Sequence, residues 1–573
     1  MLPTFARCLR QVLRPTRLYL AIFLTLILAA CEKIQPPTQR LNPLPQDPDV
    51  QVYFNHEPSS EYTEAYRHQT RAGDDLEKQI IDAIASAKST IDIAVQELRL
   101  PKIVQALVER QKAGVKVRVI LENTYSRAWS EFTTDELNKL PPRERQRYNE
   151  FRHLVDQNRD GKIDSNEINQ TDALVILHKA KIPWIDDTAD GSVGSNLMHD
   201  KFVIVDNRSL IVTSANFTSS DIHGDFTNPQ TRGNANNLLK INSYPLAALF
   251  TQEFNLMWGD GQGKLPDSKF GLQKPYRPPK QIKVGNNTIT VQFSPTSPTQ
   301  PWSKSSNGLI GKILKLSAKS VDLALFVFSE QRLVKILETN HQNGIQIRAL
   351  VEPQFAYRPY SEVLTMLGVS LNDSCNEANA RVWQEPIKTV GIPQLAKGDL
   401  LHHKFGIVDE KTVMTGSHNW STAANQGNDE TLIVIHNPVV AAHYEREFER
   451  LYANAQLGLP DKIKKKIRAQ KQCVKVEETE VGQKQGEQGE KSQYKIQNPK
   501  SKIELSQASP IQKVNLNTAS LEELESLPGV GKKLAQRIIE VRQQQPFTSL
   551  EDLNRVPGVG DRLLEKLSDR VTT

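Results

Sequence analysis

Cysteine is nearly absent. Cys8, Cys31, Cys375 and Cys473 are the four in 573 residues, too scattered for a disulfide framework, and no Cys-x-x-Cys pair suggests zinc. Charge of one sign is missing too: 72 Lys and Arg stand against 66 Asp and Glu, and a net +6 singles out no polyanionic partner. Aromatic residues make up only 6%. The apolar run Leu18–Ala30 is too short and too one-sided for a comfortable transmembrane span. What remains is 38% apolar residues, enough for globular domains diluted by polar linkers, and a length that predicts two to four of them.

Arg7, Arg10, Arg14 and Arg17 precede the apolar run, so residues 1–31 read as a targeting segment, followed by a linker over 32–49. The run ends in Leu28-Ala29-Ala30-Cys31, which resembles the lipobox of bacterial lipoproteins. That resemblance implies lipidation of Cys31 and an extracytoplasmic body, periplasmic or at the cell surface, anchored to a membrane face. Glu32 after the cysteine fits outer-membrane sorting in a host with two membranes. The alternative is an uncleaved N-terminal anchor.

The body of the chain is written twice. Val50-Gln51-Val52-Tyr53-Phe54 resembles Thr290-Val291-Gln292-Phe293, and Ser86-Ala87-Lys88-Ser89 recurs as Ser317-Ala318-Lys319-Ser320. Gly114-Val115-Lys116-Val117-Arg118-Val119-Ile120-Leu121-Glu122 returns as Gly344-Ile345-Gln346-Ile347-Arg348-Ala349-Leu350-Val351-Glu352. β-branched runs Ile91–Val95 and Val321–Val327 alternate with amphipathic stretches Lys102–Lys112 and Glu330–Asn343, a pattern that predicts an α/β fold. Halves are expected over 50–265 and 285–457.

Each half reaches one constellation. His199-Asp200-Lys201, Asp206 and Thr213-Ser214-Ala215-Asn216 are matched, at the same spacing, by His402-His403-Lys404, Asp409 and Gly416-Ser417-His418-Asn419. Histidine and lysine two apart on a strand share a face, so each half offers an imidazole beside an ammonium, with Ser and Asn as neutral donors. Two such sets facing one another suit a bound phosphodiester. One imidazole attacks phosphorus, giving a phosphohistidine. The other protonates the leaving oxygen and then activates water. Lys201, Lys404, Asn216 and Asn419 stabilise the phosphoryl oxygens, and no catalytic cofactor is expected. Asp206 and Asp409 are expected to stabilise structure.

These motifs resemble the His-Lys-Asp signature of the phospholipase D superfamily, over roughly residues 50–455. The resemblance implies a pseudo-twofold pair of α/β domains with the active site at their junction. It also implies an acidic residue beyond the Gly-Ser segment that orients the histidine of the opposite half. Glu430, in Gly427-Asn428-Asp429-Glu430-Thr431, fits that place. The first half departs from the pattern, with Asn236 where the acid is expected and Thr213 in place of glycine. The pairing makes His199 the expected nucleophile and His402 the expected acid.

Eighty-five residues separate Gly114 from His199, but only fifty-eight separate Gly344 from His402. The excess contains Asp156-x-Asn158-x-Asp160-Gly161-Lys162-Ile163-Asp164-x-x-Glu167, an EF-hand pattern with Lys162 offering its backbone carbonyl. An insertion over 140–180 with a structural Ca2+ is expected, flanked by helical stretches Arg143–Val155 and Ser165–Leu177.

Residues 458–512 are a polar linker rich in Lys, Gln, Glu and Gly. Beyond it, Leu527-Pro528-Gly529-Val530-Gly531-Lys532-Lys533 and Val556-Pro557-Gly558-Val559-Gly560-Asp561-Arg562 each predict a Pro-Gly-Val-Gly hairpin between helices. Backbone amides at such hairpins can hold a DNA phosphate, with Lys532, Lys533 and Arg562 beside them. Residues 513–573 resemble the all-α tandem helix-hairpin-helix domain of bacterial competence DNA receptors. A small helical protein-interaction module is the bland alternative. The sequence thus points to a membrane-tethered, DNA-binding nuclease. A phospholipase D acting on the phospholipid beside it, and a catalytically weak surface DNA receptor, are the rivals.

Overall fold

The computed structural model describes residues 40–192, 195–263, 265–371, 382–469 and, with short gaps, 514–572. Cys31, the linker from 470 onward, Gly529, Gly558, Gly560, Arg562 and the side chains of Lys532 and Lys533 lie outside the described residues. The chain forms two compact units that divide between 485 and 486. Among the described residues no helix is long and apolar enough to cross a membrane.

The first unit holds both halves. In the first, seven strands run in the order Val50–Phe54, Asn237–Asn242, Ser209–Thr213, Lys201–Val205, Thr90–Val95, Lys116–Leu121, Trp184–Asp186. The second repeats this centre: Asn428–His436, Thr412–Gly416, Lys404–Val408, Ser320–Leu325, Gln346–Val351 lie side by side in that order. In both halves the β-branched strand pairs in parallel with the one that follows Gly114 or Gly344, and antiparallel with the strand opened by the motif lysine. The intervening helices are Pro101–Lys112 and Gln331–Gln342. Gly114 and Gly344 let the chain turn from helix into strand at φ +88° and +82°. Even the cross-strand ion pair is copied, Arg118 to Asp92 and Arg348 to Asp322, both at 2.7 Å.

Helices Tyr244–Trp258 and Pro438–Tyr452 lie in a core shared by the two sheets. Phe250 meets Phe293 edge-on at 5.0 Å and Phe54 meets Tyr444 at 5.1 Å, each across the two halves. Short stitches tie the halves at their motif ends. Leu197–Met198 pairs in parallel with Asn428–Asp429, and Ala235 bridges to Leu401.

The insertion has a satellite core of Trp129, Phe151 and Val155 with Ile163 and Ile168 against it, so it begins ahead of the expected 140. The stretch expected as Ser165–Leu177 is two helices, Ser165–Thr171 and Ala173–Lys179, broken at Asp172, which caps the second. The second of these packs into the main core through Ala173, Leu174 and Leu177 rather than into the insertion.

In the C-terminal unit, helices Leu521–Glu525 and Lys532–Gln544 pack on Leu516, Leu553 and Val556, and Gly531 caps the second. Val514–Asn515 also pairs with Val571–Thr572, a short parallel contact in a segment expected to be all helical.

Asp206 and Asp409 sit at φ 53° and 52°, directly after their strands. Each carboxylate accepts three successive backbone amides, Lys88 to Thr90 and Ala318 to Ser320, and so pins the turn before the central strand. Removing such an acceptor hands these partly exposed amides to water, as at a lost helix cap, and Asp409→Ala is therefore expected to lower unfolding stability by about 1 kcal/mol. Denaturant titration checks this, and an unchanged midpoint counts against the cap.

Candidate active site

The stitches decide which side chains meet. His199 donates its backbone N–H to Asp429 O at 2.9 Å, and His402 donates its own to Ala235 O at 3.1 Å. Alternation along the chain then turns Glu430 and Asn236 toward the imidazoles. His199 Nδ1 lies 2.6 Å from Glu430 Oε2, and His402 Nδ1 lies 3.0 Å from Asn236 Oδ1. Each histidine is thus oriented by the opposite half, one by a carboxylate and the other by an amide.

Lys201 and Lys404 open their strands and fold back onto the histidine carbonyls, Nζ to O at 2.9 Å and 2.7 Å. Lys201 also reaches Gln96 Oε1 at 3.2 Å. Both lysines and both histidines are buried, at 0%, 1%, 5% and 6% exposure. The amide oxygens of Asn216 and Asn419 are buried without a hydrogen-bond partner. Of the residues picked from sequence, His199, Lys201, His402, Lys404 and Glu430 meet at the junction of the halves, while no hydrogen bond ties the side-chain oxygens of Asn216 and Asn419 to them.

Burial is costly for charge here. It draws Lys201 down to about 8 and Lys404 well below its ordinary value, the latter also under the charge of Lys201. It holds both imidazoles well below 6.5, with the lysines pushing the same way. Glu430 is lifted to about 7, again by burial, with the nearby cations opposing. A site whose cations resist protonation in isolation is one that an anion would complete.

Residues the sequence did not single out complete the surroundings. Asp221, in the short helix Ser219–Ile222, lies 3.5 Å from His402 Nδ1. Asn428 Nδ2 donates to Glu430 at 3.1 Å. Lys274, between the halves, pairs with Glu253 and with Asp429, the latter at 2.8 Å, on the side of the strand away from Glu430. Phe326 stands edge-on to His402 at 4.9 Å and lines a cavity of about 490 Å³ with Asp221, Arg99, Trp129, Arg147 and Phe355. Sequence separation hid Lys274, and although Asp221 stands five residues after Asn216, its approach to His402 spans 181 residues.

The loop Asp156–Glu167 lies between helices Pro142–Val155 and Ser165–Thr171, with Gly161 at φ +79°. Its side chains serve the loop itself. Asp156 and Asn158 accept the Asp160 amide, Asp160 accepts the Lys162 amide, and Glu167 accepts the amides of Gln157 and Asp164. Asp164 caps the second helix reciprocally with Glu167. Among the described residues no three His, Cys, Asp or Glu side chains gather closely enough to hold a metal. To hold an ion, these carboxylates would have to turn away from the loop's own amides.

Residues 80–258 and 310–452 match the family described as cardiolipin synthase, PLD-like domain, and 509–572 match the helix-hairpin-helix motif. The chain is similar to mitochondrial cardiolipin hydrolase of Mus musculus, 29% identical over 181 residues, which are 30% of this chain and 72% of that one. The Xenopus laevis protein of the same name is 26% identical over 136 residues, 23% of this chain and 55% of that one. The chain spans about half the length of most such relatives. Among solved structures, Nuc of Salmonella typhimurium, a phospholipase D family member, aligns over its whole length and 30% of this chain, at 19% identity and TM-score 0.24. With both halves matched and both motif sets brought to one junction, the chain belongs to the phospholipase D-like family.

Proposed function

We propose that this chain is a phosphodiesterase that works through a phosphohistidine on His199, and that its substrate is DNA. The observation that carries the chemistry is the cross-half contact of His199 with Glu430, set against a second, differently supported imidazole and two buried lysines. Glu430 accepts a hydrogen bond from Nδ1–H and leaves the Nε2 lone pair of His199 for phosphorus. That pair forms the N–P bond as the P–O bond to the leaving group breaks, and His402 gives its proton to the departing oxygen. Water then attacks phosphorus, His402 takes back a proton, and the N–P bonding pair returns to His199. Lys201 and Lys404 hold the phosphoryl oxygens throughout, joined by Asn216 and Asn419. The anion also reverses the cost of burying those cations, so it draws protons onto them as it binds.

Support for DNA comes from the C-terminal unit, whose family match is a helix-hairpin-helix motif and whose second helix is capped by Gly531. Relatives named for cardiolipin hydrolysis favour a second reading, a phospholipid substrate. In a compartment rich in calcium, the loop Asp156–Glu167 is assigned a structural Ca2+ held by Asp156, Asn158, Asp160, Lys162 O, Asp164 and Glu167.

His199→Ala is expected to abolish turnover and His402→Ala to lower kcat about 10²–10⁴-fold, with activity persisting in EDTA. For the wild type, kcat/KM should fall as pH rises, because free His402 gives up its proton first and Lys201 follows at about 8, and the limb should move upward in kcat, where the bound anion favours both protons. Full activity in either variant, or a flat profile from pH 7 to 10, defeats the mechanism.

Deleting 513–573 should weaken duplex binding, whose affinity falls with added salt, and slow DNA cleavage at limiting DNA without changing hydrolysis of a small diester. Vesicle hydrolysis with no DNA cleavage would favour the phospholipid reading, and DNA binding with no cleavage the receptor.

Calcium at ten times its Kd should add about 1.4 kcal/mol of stability, seen as a raised Tm, and Glu167→Gln should erase the rise. Calorimetry that finds no binding at millimolar calcium reduces the loop to a turn.

A further inference from the structure

The two halves break their own symmetry beside His402, and the break is reciprocal. Matched residue for residue from Thr213 and Gly416 onward, Asp221 falls opposite Ala424, while the Gly-Asn-x-x motifs set Asn236 opposite Glu430. One half carries its acid at the second of these positions, the other at the first. The carboxylate missing at 236 is present at 221.

The fold delivers the relocated carboxylate to the histidine that lacks one. Asp221 is 4% exposed, and its Oδ1 lies 3.5 Å from His402 Nδ1. It also governs the amide in between. Asn236 Nδ2 donates to Asp221 O at 2.9 Å and more distantly to Asp221 Oδ1 at 3.4 Å, which leaves Asn236 Oδ1 for His402. Ser214 Oγ donates to that same oxygen at 2.7 Å, so a flipped amide would face two donors with donors of its own. Asn234 Nδ2 and the Asn216 backbone N–H also donate to Asp221, at 2.7 Å and 3.1 Å, with Thr218 Oγ1 at 3.5 Å.

We propose that Asp221 is the positioning residue for His402, supplying through Asn236 and through space the negative charge that Glu430 supplies directly to His199. The proposal rests on the two-histidine phosphodiesterase reading. Lys404, Lys201, His199 and His403 face His402 from the neighbouring elements, and each opposes a second proton on its ring. A carboxylate within about 4 Å offsets them and favours the imidazolium. At 3.5 Å from the ring and 3.4 Å from the intervening amide, it holds that proton less firmly than a contact at 2.6 Å would. This suits a group that must release a proton to the leaving oxygen and recover one from water. The nucleophile has the opposite need, and it has the direct carboxylate at 2.6 Å.

Leaving-group dependence tests this on the full chain. From thymidine 5′-phosphate esterified with 4-nitrophenol, 4-nitrophenolate departs without a proton, whereas the methanol leaving from the methyl ester needs one. Asp221→Asn is expected to lower kcat/KM for the methyl ester at least about tenfold more than for the nitrophenyl ester. Loss of the charge lowers the affinity of His402 for its proton, so the fall of methyl-ester activity with rising pH should begin at lower pH. Adding Asn236→Asp to Asp221→Asn returns a carboxylate to the position used by the other half, and should restore the methyl-ester reaction. Asn236→Ala leaves Asp221 holding the Asn216 amide but cuts the relay, and the same selective loss is expected should Asp221→Asn not fold. Equal losses on both esters, or no loss on either, overturn the assignment. A wild-type protein inert to both esters instead counts against the phosphodiesterase reading itself.

Discussion

The whole site hangs on two backbone hydrogen bonds that cross from one half to the other, His199 N–H to Asp429 O and His402 N–H to Ala235 O. They fix register, and in extended chain register fixes facing. A slip of one residue would present Asp429 to His199 and send Glu430 to the side now held by Lys274. The shared aromatic core and the copied Arg–Asp pairs keep both sheets stiff enough for that register to hold.

Register alone would bring together groups that repel. Two ammonium groups and two imidazoles without bulk water are an unfavourable set, visible in the lowered proton affinities of all four. Carboxylates around the set offset this, with Glu430 at one ring and Asp221 near the other. A bound anion would supply the rest.

Much of this was legible in the sequence, because it was written in local spacing. His-x-Lys needs only the two-residue period of a strand, and the copied Gly-Val-Lys-Val-Arg and Gly-Ile-Gln-Ile-Arg runs gave away the duplicated sheet. Glu430 was readable through resemblance alone, for its contact with His199 spans 231 residues. Asp221 and Lys274 were not readable, since their partners are set by how two sheets meet. The helix break at Asp172 was missed because its flanks are both helical in pattern, and the insertion's true start because Trp129 looks like an ordinary apolar residue until Phe151 packs near it.

Reciprocal support has a consequence for descent. In a duplicated chain, a residue usually drifts at the expense of its own copy. Here a change at 430 is felt by His199, and a change at 236 by His402, so each copy inherits the fate of the other's histidine. Neither repeat can be traded, lost or retuned as a module. What the arrangement does permit is division of labour. Once the two supports differ, the equivalence of the histidines is gone, and selection can act on each as a separate trait within one gene.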